Sequence, residues 1–468
     1  MNNLLLWAVC ALPLTIGLIT FLIPVDYYKR QLQHLSLLVA LAHLLFTLFI
    51  LFFKPSGDSY LFWSGEGGVL LLLISTLFLM AIIYLKNYFH DQEVATIKQC
   101  HAWCFLFLGA MSLTTLAHNI ILFWVAIELT TLVSAPLIYT HKSKTSLEAT
   151  WKYIILCSIG IAFALLGIFF VVMSLALIMP KEELSLTFSN FILYAPKMNR
   201  LWLELGLIFV LIGFGTKMGL APMHSWLPDA HSEAPSPISA LLSGALLNCA
   251  FLGIYRVYEI VGKSSAGAFG AELLISFGLL SIFFATIFMI RQNDYKRLLA
   301  YSSVENMGII AFGTGIGGIA LVGVYIHLIH HSLIKSSLFM TTGNLLKIFK
   351  SKEISKSGEL ATLHQGSFSV LLIGVFALVG GPPFGIFFSK LYIIIGAISQ
   401  KLWWQTSLFL VMAAIITLTL LSVTFKISFH PLERGGTISA DKKLLIWPQL
   451  FLLLCSLLLG LYYLLGSI

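Results

Sequence analysis

The sequence predicts an all-helical, polytopic membrane protein, and three observations lead there. Of 468 residues, 59% are apolar and 10% charged, with a mean hydropathy of +0.94, far from the balance of a soluble domain. Runs of about 20 apolar residues recur along the whole chain, each long enough to cross roughly 30 Å of hydrocarbon. Two of those runs, "GFGTKMGLAP" and "LVGGPPFGIFFSK", are interrupted by glycine and proline beside a lysine. About fourteen spans are expected, at 4–24, 32–53, 68–86, 100–117, 119–139, 152–179, 202–220, 237–261, 270–290, 297–314, 317–346, 368–399, 404–429 and 444–465.

The first run has no basic residue between Met1 and Pro24 and is too long for a signal-peptide core, so it reads as the first span. Spans one to three form an N-terminal segment, residues 1–99. A tight turn near His118 and Asn119 divides the fourth span from the fifth. Turn signals in 100–139 and 297–346 are weak, so those stretches admit other divisions. The external loop from Lys181 to Arg200 carries no interpretable motif.

An even number of spans puts both termini on one side. Of the 28 Lys and Arg residues, eighteen fall on one face, among them Lys29, Arg30, Arg291, Lys296, Arg297, Lys352, Arg434, Lys442 and Lys443. Seven fall on the other (Lys54, Lys181, Lys197, Arg200, Arg256, Lys263, Lys401), and Lys217, Lys335 and Lys390 lie inside spans. The richer face is expected to be cytoplasmic, with both termini periplasmic. The net charge of +8 then reflects topology and gives no reason to propose nucleic acid as a partner.

Several chemistries are not expected in this chain. The six cysteines form no CxxC pair, and "CHAWC" (Cys100 to Cys104) lacks a second ligand pair and opens a membrane helix, so no metal site is expected. There is no strand-borne GxGxxG, no P-loop and no Ser/His/Asp arrangement. No catalytic residue and no cofactor are assigned, and any redox chemistry belongs to partner subunits.

The informative residues are ionisable groups inside spans, each costing a few kcal/mol at the bilayer centre unless paired or hydrated. Glu128 lies in "FWVAIELTTLV", Lys217 in "GFGTKMGL", Glu305 in "YSSVENMG" and Lys390 in "GIFFSKLYII". In "YIHLIHHSLIKSSLFM", His327, His331 and Lys335 recur every four residues, one face of a helix over about 12 Å. Such a stripe can pass protons. The competing readings are hydrogen-bonded packing histidines with Lys335 snorkelling to the interface, or zinc on the HxxxH pair. A Glu and a Lys brought together or apart load and unload a proton; the alternative for Glu128 is a static ion pair that orients helices.

The two interrupted spans stand about 170 residues apart, the placement expected of internal repeats whose unwound backbone lines a hydrated cavity. Five-helix units over 100–261 and 270–430 make the broken spans the fourth helix of each, the seventh and twelfth overall. An odd number of helices per unit inverts the second copy, and 431–468 supplies a C-terminal helix.

At this point the residues resemble a family: the antiporter-like membrane subunits of respiratory complex I, Mrp cation/proton antiporters and membrane-bound hydrogenases. "TKMGLAPMHSWLPDAHSEAPSPISALLSG", "DYKRLLAYSSVENMG" and "HLIHHSLIKSSLF" carry the resemblance. It implies fourteen helices with two inverted five-helix repeats and helices seven and twelve broken. It also implies a proton path through Glu128, Lys217, His327, His331, Lys335 and Lys390. Asn248, in "GALLNCAFLG", is a possible relay position that stands where complex I subunits commonly carry a lysine, and together with the glutamate of "SSVENMG" it resembles the F-type subunit of hydrogenase-4. With span fourteen expected to end close to Ile468, the lateral helix of the largest members is not expected within this sequence.

Two groups keep alternatives open. Glu305 is either a second relay acid or the ion-pair partner of Lys296 or Arg297. His224, Asp229, His231 and Glu233 are either a proton entrance or part of a turn, with Asp229 and Ser232 as turn and N-cap residues and Pro235 and Pro237 starting the next helix. The expected function is a proton-translocating subunit of a hydrogenase-4-like or complex-I-like assembly in a bacterial inner membrane, partnered by membrane subunits and a peripheral redox arm. The alternatives are an Mrp-like sodium/proton antiporter and the membrane subunit of an energy-coupled inorganic-carbon uptake system.

Overall fold

The structure is a computed structural model that describes residues 2–24, 31–90, 92–180, 184–431 and 444–466. Lys29, Arg30, Lys181, Arg434, Lys442 and Lys443, used above to assign the two faces, lie outside the described residues. Among those described, the architecture is helical, with only three isolated β-bridges and no strand. In chain order the α-helices are α1 Asn2–Leu22, α2 Gln31–Phe53, α3 Gly65–Tyr88, α4 Val94–Leu116, α5 Ile120–Ile138, α6 Lys144–Ala176, α7 Phe188–Tyr194, α8 Arg200–Met218, α9 Trp226–Glu233 and α10 Ser236–Leu241. They continue as α11 Leu247–Gly262, α12 Gly267–Ile290, α13 Tyr295–Ile316, α14 Ile319–Phe349, α15 Leu360–Leu363, α16 Gln365–Val379, α17 Gly385–Ser399, α18 Trp403–Phe429 and α19 Trp447–Gly466.

Twelve helical segments among the described residues are long and apolar enough to cross a membrane. Helix α13 is long enough but not among them, because Ser302, Ser303, Glu305 and Asn306 lower its hydropathy; all four are buried. The expected span 368–399 is two shorter apolar helices, α16 and α17, separated where Gly380 turns left-handed at φ 96°.

The chain divides into two compact units. The first comprises 1–82, 89–219 and 245–273. Its tightest seam joins α6 to α8, where glycines let the backbones meet: a Cβ on Gly213 would lie 2.4 Å from the Ala164 nitrogen, and one on Gly167 would lie 2.7 Å from the Gly206 carbonyl. That seam fixes the register of α8, so that Thr216 and Lys217 follow one turn beyond Gly213. The helix ends at Gly219 (φ 83°), and its unsatisfied C-terminal carbonyls favour the cation in the last turn. Asn119 caps α5 by accepting from the Ile121 and Leu122 amides. Ser143 and Ser146 form a capping box that starts α6 eight residues before the expected span, so Lys144 and Lys152 are helical.

The second unit comprises 83–88, 220–244 and 274–468. Helix α14 is central, packing on α10, α13, α16, α17 and α19. Asp294 caps α13 by accepting from the Lys296 and Arg297 amides. The expected turn after the first break is a short helix, so Asp229 and Ser232 lie within α9 rather than in a turn or at an N-cap, because the residues after Pro222 resume helical bonding at Trp226. Pro235 and Pro237 do start the next helix. Between α10 and α11 the helix widens to a π-helical stretch over Leu242–Leu246, just before Asn248, which no sequence signal anticipated.

Candidate functional site

Each unit carries a cluster of buried polar and charged side chains on packed helices. In the first, Lys217 is fully buried, and its Nζ donates to Thr131 Oγ1 (2.7 Å) and to the Tyr153 hydroxyl (2.7 Å). Thr131 in turn donates to Glu128 Oε2 at 3.2 Å, and Ser158 donates to Glu128 Oε1 at 2.8 Å. The Tyr153 hydroxyl also lies 2.6 Å from Ser134 Oγ. Lys217 and Glu128 therefore do not form a direct ion pair; one hydroxyl stands between them. Asn248 is buried on α11 beside Cys249, an ionisable neighbour of Lys217 along with Cys157 and Glu128.

In the second unit, His327, His331 and Lys335 are fully buried on α14. His327 is held at both ends, with Nε2 2.8 Å from Asn306 Oδ1 and Nδ1 2.8 Å from Ser389 Oγ. Those bonds leave it unsuited to ligate a metal, and among the described residues no group of three or more His, Cys, Asp or Glu is placed to hold one. His331 lies one turn on, its ring parallel to that of His327 at 6.4 Å, and neither of its nitrogens has a hydrogen-bond partner among the described residues. Lys335 does not snorkel: its Nζ donates to the Leu299 carbonyl and to Ser302 Oγ (2.6 Å). His330, on another face, bonds Ser456 at 2.8 Å and occupies the space that a Cβ on Gly385 would need.

Glu305 lies 3.7 Å from Lys390 Nζ, with side-chain exposures of 3% and 13%. It does not pair with Lys296, which binds the Ser232 and Ala234 carbonyls, or with Arg297, which binds Asp229 at 2.7 Å. Lys390 also donates to the Val379 carbonyl at 3.3 Å, a group freed by the end of α16. The second break thus presents a carbonyl to its lysine, whereas Lys217 near the end of α8 bonds two side-chain hydroxyls.

The segment after the first break separates into distinct environments. Asp229 and Glu233 are occupied by Arg297 and Lys352 (2.8 Å). His224 sits among the rings of Phe284, Phe288 and Tyr301 at 5.9–6.2 Å, its Nδ1 without a hydrogen-bond partner among the described residues. His231 is fully buried and stacked on Phe339 at 4.8 Å, with neither ring nitrogen partnered among the described residues.

Sequence reasoning missed Thr131, Tyr153, Ser158, Asn306, Ser302 and Ser389. Thr131 had a signal, since it lies three residues after Glu128 on the same helix face. Ser302 and Asn306 had the same kind of signal, sharing a helix with Glu305, and Ser389 adjoins Lys390, whereas Tyr153 and Ser158 reach from a neighbouring helix and had none.

A many-helix membrane protein with lysine and acid clusters buried in its spans belongs to the class of membrane proteins that handle ions. The chain belongs to the NADH:quinone oxidoreductase/Mrp antiporter transmembrane family, whose pattern matches residues 117–417. It is 35% identical to the hydrogenase-4 component F homolog of Methylacidiphilum infernorum over 76% of each chain. It is 31% identical to an Na(+)/H(+) antiporter subunit of Alkalihalophilus pseudofirmus over 70% of this chain, a match spanning 42% of that longer protein. In fold it is similar to a chain of the archaeal membrane-bound sulfane sulfur reductase, with a TM-score of 0.84, 21% identity and coverage of 98% of this chain and 94% of the other.

Proposed function

We propose that the chain translocates protons as one membrane subunit of a hydrogenase-4-like or complex-I-like assembly, driven by redox chemistry in partner subunits. Glu128, Lys217, His327, His331, Lys335 and Lys390 are its relay residues, with Glu305 as a second acid. The observation that carries this is the hydroxyl between Lys217 and Glu128. The two bonds end to end put the charges no more than about 6 Å apart, an attraction of about 3 kcal/mol at an effective dielectric of 20. Direct contact at about 3 Å doubles it. Moving the pair between these separations therefore shifts the balance between ammonium and neutral amine by roughly a hundredfold. A partner that displaces α5 against α8 by a few ångströms would load or release a proton at Lys217.

In this reading α13 and the α16/α17 pair count as crossings, giving fourteen, and the two broken helices belong to inverted repeats. The membrane is a bacterial inner membrane, with the lysine-rich face cytoplasmic and both termini periplasmic. A second reading, sodium/proton exchange without redox chemistry, is favoured by the similarity to the Na(+)/H(+) antiporter protein.

The test is to purify the assembly through a tag on this chain, identify the co-purifying subunits, and reconstitute it in liposomes. Redox subunits and a sodium-independent pH gradient formed during electron transfer are expected. Small antiporter subunits and a gradient driven by sodium alone would replace the first reading with the second.

A further inference from the structure

Lys296 is used by none of the steps above, yet it is among the most completely buried large side chains in the protein, at 1% exposure. Its Nζ donates to two carbonyls at the end of α9, Ala234 at 2.6 Å and Ser232 at 3.3 Å, and among the described residues no carboxylate lies within ion-pair distance of it. Around it stand Asp294, Lys352 and Glu233. Asp294 accepts from Ser232 Oγ at 2.8 Å and caps the helix that carries Lys296. Close by are two partly exposed ion pairs, Arg297 with Asp229 and Lys352 with Glu233. His231 precedes Ser232, and its charged neighbours are Lys335 and Lys296. Phe339 links the two sides: His231 stacks on it at 4.8 Å, and Lys335 Nζ stands 5.2 Å from its centroid.

The groups run from two partly exposed ion pairs to one buried amine, one buried imidazole and a second buried amine. Both ring nitrogens of this fully buried histidine are without a hydrogen-bond partner among the described residues. An imidazole with both nitrogens open, standing between two amines, can accept a proton on one side and release it on the other.

We propose that Lys296 and His231 load protons onto Lys335 from the lysine-rich face. The N–H bond broken on the Lys296 ammonium is formed on His231, through water. His231 then passes the proton to the neutral amine of Lys335 and returns to the neutral imidazole. Lys296 is reprotonated from water at the Arg297/Asp229 and Lys352/Glu233 ion pairs. This inference rests on the proton-translocating reading above.

The decisive variant is Lys296→Arg in the complete assembly, reconstituted in liposomes and measured as protons moved per electron transferred. Arginine keeps a cation on the two carbonyls but does not give up its proton. Assembly and electron transfer are expected to persist while the proton-to-electron ratio falls at least tenfold. A purely structural lysine would be rescued by arginine, and a wild-type ratio would overturn the inference. Should Lys296→Arg fail to assemble, His231→Gln decides by the same readout, with a tenfold loss expected and a wild-type ratio overturning it. If wild-type protein transfers electrons without moving protons, the reading itself fails and the inference with it. If wild type pumps and the assembled variant pumps equally, the inference alone fails.

Discussion

Replacing Thr131 with valine tests the hydroxyl bridge with little change of shape. The side chain is fully buried, and valine fills nearly the same volume without the oxygen. Two contacts go at once, the 2.7 Å bond from Lys217 and the 3.2 Å bond to Glu128. Hydrogen bonds to charged groups contribute about 1.5–3 kcal/mol each, so the variant loses roughly 3–6 kcal/mol of support for the charged pair. Tyr153 still accepts from Lys217 and Ser158 still donates to Glu128, so part of that loss is offset. A net effect of about 1.5–3 kcal/mol corresponds to a ten- to hundredfold fall in proton translocation. The assay compares pH-gradient formation at matched electron-transfer rates, with Thr131→Ser as the control that restores the hydroxyl. A valine variant that pumps like wild type while the serine variant does no better would show that the bridge has no part in translocation.

Other perturbations reach different parts of the fold. Glu305→Gln and Lys390→Ala are each expected to depress pumping at least tenfold without loss of assembly, and the double variant to be no worse than the worse single one, since the two side chains act as a pair; additive losses would separate them. Gly213→Ala drives a methyl into the backbone of α6, so a lower unfolding temperature in detergent is expected, reflecting a cost of about 1–3 kcal/mol. Arg256 is buried with its guanidinium on the Thr115 and Ala117 carbonyls and among Phe62, Phe123 and Phe188. Arg256→Leu strands those carbonyls, and a loss of about 1–3 kcal/mol for each is expected to show as reduced yield of folded chain. Asp58 lies outside the spans. Partial burial opposes its ionisation, but the Leu61 and Tyr60 amides and the Trp7 indole, with His118 nearby, outweigh that and hold its carboxyl below the usual range. With the folded value lowered, the stabilisation is present above the ordinary aspartate value of about 3.9 and lost as pH falls through the folded value. Unfolding temperature should drop with pH below that value in wild type and less steeply in Asp58→Asn.

The spans were legible because hydrocarbon imposes its thickness on the sequence. The Asn119 turn was also legible, since a polar residue with free amides after it is a local feature. The lysines beside both breaks stood out by their glycine and proline neighbours, yet only Lys390 bonds a carbonyl that its break frees, while Lys217 bonds the Thr131 and Tyr153 hydroxyls. What could not be read was which helices face each other. Tyr153 meets Lys217 because Gly160, Gly167, Gly206 and Gly213 let α6 and α8 approach, and nothing near Tyr153 announces that. For Asp229 and Glu233 the sequence left a proton entrance and a turn both open, because their ion-pair partners, Arg297 and Lys352, lie more than 60 residues away in sequence. Lys296 was read as a charge on the lysine-rich face or a partner for Glu305, because its burial against the carbonyls that end α9 leaves no local trace.

The proposed mechanism requires Lys217 to carry the proton. Its most direct test is the proton-to-electron ratio of the reconstituted assembly with wild-type chain and with Lys217→Ala, at equal content of every subunit. Wild type should form a pH gradient during electron transfer, and Lys217→Ala should transfer electrons with the gradient abolished. An alanine variant that pumps at the wild-type ratio would contradict the account.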